Sequence, residues 1–315
     1  MARLSGDPGF GIKVGSSTGR ILNRDGKPNV KRFGERFHPS DVYHWLVDMS
    51  WIRFVCVVLA TYFVVNMMFA GLYVVIGPDH ISNVDDDLTL ETLEMTFLFS
   101  AQTLTTVGYG NLAPTTPVLG AIAALEALTG LLIFGIFTGV SFGRFTRIKP
   151  RILFSTSALI SPHTNGANAL MVRIVNERNS VVMDGNATMI LVMHQGNEHQ
   201  RERRYYQLPL DLSNINTLAL NWTLVHTITS DSALYGLTHK DLVDRNAELL
   251  VTFAAFDDTV SQQFYTRNSY KPHEITWGAR FSPMFWTNEH GDVELHIDRT
   301  HDYVSADLFP TGQVS

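Results

Sequence analysis

Thr105-Thr106-Val107-Gly108-Tyr109-Gly110 lies between two long uncharged stretches of this 315-residue chain. Stripping water from K⁺ needs oxygens on every side of the ion, and rings of backbone carbonyls from loops of this kind supply them. Such a backbone alternates its handedness, so it needs residues without a Cβ penalty, and Gly108 and Gly110 are spaced to provide them. The carbonyls of Thr106, Val107, Gly108 and Tyr109, with the Thr106 hydroxyl at the inner end, are the candidate K⁺ ligands. No organic cofactor is called for. Alone, the motif fits any loop, and its setting gives it meaning.

On the N-terminal side, Phe54 to Pro78 carry no charge over 25 positions. That run crosses a ~30 Å hydrocarbon core at about 1.5 Å per residue. Trp51 and Tyr73 stand near its ends as candidate interface anchors, and Arg53 can snorkel at the inner end. On the C-terminal side a second span runs from about Pro117 to Phe145. It holds one acid, Glu126, and glycines at 120, 130, 135, 139 and 143 that allow close packing or bending. An unpaired charge at that depth is costly, so Glu126 is expected to pack behind the pore helix, protonated or hydrogen-bonded, rather than line the cavity.

Basic residues set the topology. Lys13, Arg20, Arg24, Lys27, Lys31, Arg32, Arg36 and Arg53 precede the first span, and Arg144, Arg147, Lys149 and Arg151 follow the second. The linker Gly77 to Pro117 has no Lys or Arg but carries six acids. Positive-inside then places both termini in the cytoplasm of a plasma (inner) membrane and the acidic linker outside, where it concentrates cations. Residues 1–37 are polar and basic, without a signal-peptide pattern.

The linker re-enters the membrane. Leu90 to Leu104 reads as a helix too short to span, with Thr89 as N-cap and Glu91 and Glu94 early, where the helix dipole favours acids. Non-helical backbone beyond it is tolerated at that depth because it lines a pore. The chain carries one filter copy, so enclosing an ion takes a homotetramer. Before the first span, residues 38–50 (HPSDVYHWLVDMS) read as an amphipathic helix with Val42, Trp45, Leu46 and Met49 at helical spacing. It is expected to lie in the inner interface; an ordinary cytoplasmic helix is the alternative.

From Ile152 onward, short β-rich runs alternate with turn signals. Ala169 to Val175, Ala187 to Met193 and Leu249 to Phe256 are the clearest runs, with Asn165-Gly166, Asp184-Gly185, Gln195-Gly196-Asn197 and His290-Gly291-Asp292 as turns. An antiparallel sandwich follows, with Arg20 to Val30 as an added edge strand. The net charge of −6 gives no basic field for nucleic acid, and the single cysteine, Cys56, forms no disulfide within the chain. The twelve histidines lack metal-ligand spacing. His194 and His199 read as a solvated turn, and His226 and His239 as structural or surface residues. No phosphate loop or nucleophile elbow appears, so an enzyme is not expected.

Together these features resemble the inward-rectifier potassium channels, most closely their prokaryotic branch, over nearly the whole chain. The resemblance rests on the interfacial helix before Ser50-Trp51, Phe99-Ser100 through Gly110, and Leu125-Glu126 before Gly130. It continues through Thr138-Gly139 and Arg144-Phe145-Thr146-Arg147 to the stretch from His226 to Gly236, which is similar to the family's His-x-Ile-Asp-x-x-Ser-Pro-Leu-Tyr-Gly but departs from it at Thr229 and Ala233. It implies a membrane α-helical two-span pore domain (interfacial helix 38–50; outer, pore and inner helices within 51–147; filter 105–110). A cytoplasmic all-β immunoglobulin-like sandwich over 148–315 completes the chain.

The resemblance also implies roles. Gly130 matches the hinge glycine and Phe142 the apolar gate at the inner-helix crossing, moved by the cytoplasmic domain through the interfacial helix. Arg144, Arg147, Lys149 and Arg151 fall where the family binds anionic lipid phosphates, as a juxtamembrane basic cluster can; the positive-inside signal alone is the other reading. Phe134 stands where strong rectifiers carry a cavity acid, so Mg²⁺ and polyamines are expected to block weakly. Gln102 replaces a glutamate that many eukaryotic members pair ionically behind the filter. The function implied is a tetrameric K⁺-selective channel. The alternative is a membrane-tethered sensor or binding protein with incidental or non-selective cation conduction.

Overall fold

The computed structural model describes residues 6–7, 9–11, 19–23, 26–31, 33–34, 41–147, 150–196 and 202–310. Two compact units divide the chain: Gly34–Arg147, and Met1–Phe33 with Ile148–Ser315.

The first unit is helical: α1 (Asp41–Asp48), α2 (Trp51–Ile76), α3 (Leu90–Leu104) and α4 (Pro117–Phe145). Side-chain oxygens start three of them by accepting otherwise orphaned N–H groups. Ser50 accepts from Arg53, Thr89 from Thr92, and Thr116 from Leu119. The Ser50 cap is why α2 begins at Trp51, a turn before its uncharged stretch. Gly77, at φ 127°, ends it. α2 and α4 are long and apolar enough to span a membrane. Val55, Leu59, Phe63 and Met67, one per turn, stay exposed along α2, the surface that a lipid or neighbouring helix requires.

α1 ends at Asp48, two residues before the sequence implied, and residues 38–40 lie outside the described ones. Leu46 is its buried residue and packs with Phe54 and Val140, Met49 joins that cluster just beyond the helix, and Val42 and Trp45 remain exposed. The linker between α2 and α3 is tied to the segment just before α4. Ile81 bridges Pro114, Ser82 N–H donates to the Ala113 carbonyl at 2.9 Å, and Asn83 Nδ2 donates to the Asn111 carbonyl at 2.7 Å.

The second unit is an all-β sandwich of two five-stranded sheets. Its strands are β1 (Ile152–Phe154), β2 (Ala158–Pro162), β3 (Asn168–Asn176), β4 (Val182–Gln195), β5 (Glu202–Leu208), β6 (Asn214–Thr217), β7 (Asn221–Thr227), β8 (Glu248–Asp257), β9 (Gln262–Tyr270) and β10 (Ile275–Trp277). One sheet runs β1-β3-β2-β10 with β7 on the other edge of β3; the second runs β5-β4-β8-β9 with β6 on β4. Alternating apolar residues meet between them, Leu170, Ile174 and Leu224 from one sheet with Met189, Leu191 and Phe253 from the other.

Three expectations need correction here. The sandwich is not wholly antiparallel, since β10 runs parallel to β2. Asp184-Gly185 is not a turn. It makes a bulge inside β4, with Asp184 at φ 51°, and a Cβ on Gly185 would stand 2.8 Å from Ile215 and 3.0 Å from Phe253. Finally, the described residues of the Arg20 to Val30 segment form no edge strand. Leu22 bridges Pro28 in a tight hairpin turned by Gly26 at φ 77°. The Ile21 and Leu22 N–H groups, which a ladder would use, donate instead to the buried Glu248 carboxylate. Lys271 neutralises Glu248 at 3.1 Å, and Arg20 pairs with Glu274 at 2.7 Å.

Candidate functional site: the pore loop and its supports

The last turn of α3 holds the filter backbone by its donors. Thr106 N–H donates to the Thr103 carbonyl at 3.0 Å, and the Val107 and Gly108 N–H groups share the Gln102 carbonyl at 2.9 and 3.3 Å. Among the hydrogen bonds of the described residues, none is accepted by the carbonyls of Thr106, Val107, Gly108 or Tyr109. A row of carbonyls with no protein partner, on exposed backbone, is what a dehydrated cation needs. Gly108 and Gly110 adopt positive φ, 56° and 85°, as their spacing implied. Thr106 does too, at 57°. A β-branched residue is strained there, and the bonds to α3 hold it in place.

Gln102 braces the loop from behind. Its Oε1 accepts from Tyr109 N–H and its Nε2 donates to the Leu112 carbonyl, both at 3.2 Å. Both halves of the amide are used, so the hydrogen-bonding role left by the missing acid is fully taken up. Glu126 is wholly buried, where it accepts from Tyr73 and bonds to Ser100. Tyr73, expected as an interface anchor, is instead wholly buried beside it. Asn66, buried on the same face of α2, contacts Ser100 and was not singled out from the sequence. The available signal was an amide side chain in a largely apolar span, seven residues, about two turns, before Tyr73.

Gly130 lies where α4 crosses the end of α3. A Cβ there would collide with the Leu104 carbonyl, whose carbon would be 2.9 Å away. Phe134 and Phe142 are exposed on α4, available in a single chain to line an axis. The basic residues are not equivalent. The Arg144 guanidinium donates to three carbonyls at and just past the C-terminal end of α1, those of Leu46, Val47 (3.0 Å) and Met49 (2.7 Å). It also sits 4.7 Å from the ring centres of Trp51 and Phe54. Gly143 lets α1 close in, since a Cβ there would stand 2.7 Å from the Tyr43 hydroxyl. Arg147 pairs with Asp48, Arg151 is exposed, and Lys149 lies outside the described residues.

Comparison with known proteins adds independent findings. The model of the inward rectifier potassium channel C-terminal domain matches residues 152–312, and an ion channel model matches residues 55–147. The chain is similar to the inward rectifier potassium channel Kirbac3.1 of Paramagnetospirillum magnetotacticum, 33% identical over 93% of this chain and 98% of that one. It is also similar to the inward rectifier potassium channel irk-1 of Caenorhabditis elegans, 24% identical over 90% of this chain and 56% of that one.

Proposed function

This chain belongs to the inward-rectifier potassium channel family, and from that premise we propose a K⁺-selective homotetramer gated at the inner-helix crossing. The observation that carries this reading is the filter backbone, whose donors are held by α3 while the carbonyls of Thr106 to Tyr109 have no hydrogen-bond partner among the described residues. One chain supplies one wall of the site, and four copies about an axis close it. K⁺ exchanges its water for these carbonyls, and the small free energy between sites lets it leave again.

Phe142 rings the inner mouth and dewets when closed. The sandwich biases that gate through the helix preceding α2, with Arg144 as the strut between α1 and α4. Anionic lipid acts through Arg147, Lys149 and Arg151, because the two terminal nitrogens of Arg144 are engaged by the carbonyls of Leu46, Val47 and Met49. Phe134 gives Mg²⁺ and polyamines no carboxylate ring, so rectification is weak. Both termini face the cytoplasm across the plasma membrane.

The test is Rb⁺ uptake into K⁺-loaded proteoliposomes, with and without anionic lipid, under Na⁺ competition and Ba²⁺ block. Uptake that Ba²⁺ blocks, Na⁺ leaves unchanged and Gly108→Ala abolishes supports the reading. No uptake in either lipid overturns it in favour of a membrane-tethered sensor.

A further inference from the structure

Asn66 and Tyr73 of α2, Ser100 of α3 and Glu126 of α4 meet inside the helical unit, each wholly buried. The Tyr73 hydroxyl donates to Glu126 Oε2. Ser100 Oγ lies 2.5 Å from Glu126 Oε1, 3.0 Å from Asn66 Oδ1 and 3.2 Å from the Asn66 carbonyl. Asn66 Nδ2 donates to the Tyr62 carbonyl at 2.7 Å. That bond fixes the amide, because turning it over would set Oδ1 against another carbonyl.

The protons can then be counted. Ser100 has one hydroxyl proton, and two side-chain acceptors compete for it. If Glu126 is a carboxylate, Ser100 donates to it and Asn66 Oδ1 is left buried against a lone pair. Among the described residues no cation pairs with the anion either. α3 carries no basic residue, and the basic residues of α2 and α4 are Arg53 and Arg144, at the inner ends. Arg144, about five turns from Glu126 at ~3.6 residues per turn, is engaged by α1. If Glu126 is a neutral acid, its O–H donates to Ser100, Ser100 donates to Asn66 Oδ1, and Tyr73 donates to the remaining carboxyl oxygen. Every side-chain polar atom in the cluster then has a partner. The titratable group facing Glu126 from α2 is Tyr73, a donor in both states; α3 presents Ser100.

We infer that Glu126 is a neutral carboxylic acid heading an ordered relay, Glu126 to Ser100 to Asn66, and that this relay makes it a positioning residue for the filter. Ser100 stands two positions before Gln102, whose carbonyl and side chain hold Val107, Gly108 and Tyr109. Fixing Ser100 between α2 and α4 therefore fixes the turn from which the filter hangs. The protonation state stands apart from conduction; the positioning role rests on the K⁺-channel reading.

The two parts are tested separately. Infrared spectra of the full chain in lipid vesicles at neutral pH are compared with those of Glu126→Gln. The expected difference is a carbonyl stretch of a hydrogen-bonded carboxylic acid, present only in the parent; loss of carboxylate stretches instead overturns the neutral acid. For positioning, Rb⁺-over-Na⁺ selectivity is read in assembled tetramers. Glu126→Gln keeps it within about twofold, because an amide donates to Ser100 and accepts from Tyr73 as the acid does, while Glu126→Leu lowers it by roughly tenfold. Equal loss in both variants overturns the relay. A parent without Rb⁺ uptake overturns the positioning role and the channel reading, while the infrared result still decides the proton.

Discussion

The Leu104 carbonyl occupies the place that a side chain on residue 130 would take, so α4 and the end of the pore helix touch backbone to backbone at Gly130. This gives the glycine a reason that requires no hinge. The two reasons predict different things. A hinge glycine changed to alanine alters opening; a contact glycine changed to alanine pushes α3 away from α4 even in a closed channel. Gly130→Ala is expected to destabilise the assembled protein by about 1–3 kcal/mol, as overpacking does, and to weaken K⁺ selectivity. Thermal melting and Rb⁺/Na⁺ competition check it. Unchanged melting with altered open probability would return the residue to a hinge.

Gln102 offers a test of the filter alone. Its two bonds reach Tyr109 N–H and the Leu112 carbonyl, at and just past the C-terminal end of the proposed filter. Gln102→Ala leaves a donor and an acceptor without partners, at about 1–3 kcal/mol each if buried. Gln102→Glu keeps the acceptor for Tyr109 and sets a carboxylate oxygen against the Leu112 carbonyl. Both are expected to lower Rb⁺-over-Na⁺ selectivity, by tenfold or more on that energy scale. Parent-like selectivity in both variants would leave Gln102 without a bracing role.

Arg144 was expected to hold lipid phosphate, and the structure gives its guanidinium other partners. A fork reaching the Leu46, Val47 and Met49 carbonyls while lying over Trp51 and Phe54 cannot be reproduced by a lysine's single ammonium. Arg144→Lys is therefore expected to loosen α1 from α4 despite keeping the charge. Hydrogen exchange over Asp41 to Met49 reads this out, with faster exchange in Lys and Ala variants alike. Arg147→Ala, which removes an exposed ion pair with Asp48, is expected to change exchange little and anionic-lipid dependence more. If Arg144→Lys exchanges like the parent, the residue acts as charge alone.

What was legible in the sequence was what short-range pattern determines. The start of α3 follows from Thr89 and that of α4 from Pro117, and the positive φ of Gly108 and Gly110 follows from their spacing. The strands over 169–175, 187–193 and 249–256 follow from apolar runs. What was hidden needed the third dimension. Asn66 and Tyr73 gain meaning only when Ser100 and Glu126 reach them from other helices. Arg144 reads as one more positive charge until the end of α1 is placed beneath it. The Arg20 to Val30 segment was expected as an edge strand, yet Glu248, more than two hundred positions later, takes the Ile21 and Leu22 donors that a strand would need.

His226 opens the stretch that departs from the family pattern at Thr229 and Ala233, and it links stability to pH. Its ring is buried in the sandwich, Nδ1 2.7 Å from the Pro209 carbonyl and Nε2 2.7 Å from Ser232 Oγ. The carbonyl only accepts, so Nδ1 carries the proton and Ser232 donates to Nε2. Burial holds the imidazole pKa below its ordinary value, against smaller opposing effects from the Pro209 carbonyl and Asp211. The unfolded chain therefore binds the proton more readily than the folded one. The sign follows: stability is fully present above an unfolded pKa of about 6.5 and is lost as pH falls below it, until the folded ring also protonates. Melting of the full chain from pH 8 to pH 5 is expected to hold steady and then decline below about 6.5, and His226→Gln is expected to remove part of that decline. A decline that is the same in the variant would assign it to other groups, and a rise in stability toward acid would contradict a buried neutral histidine.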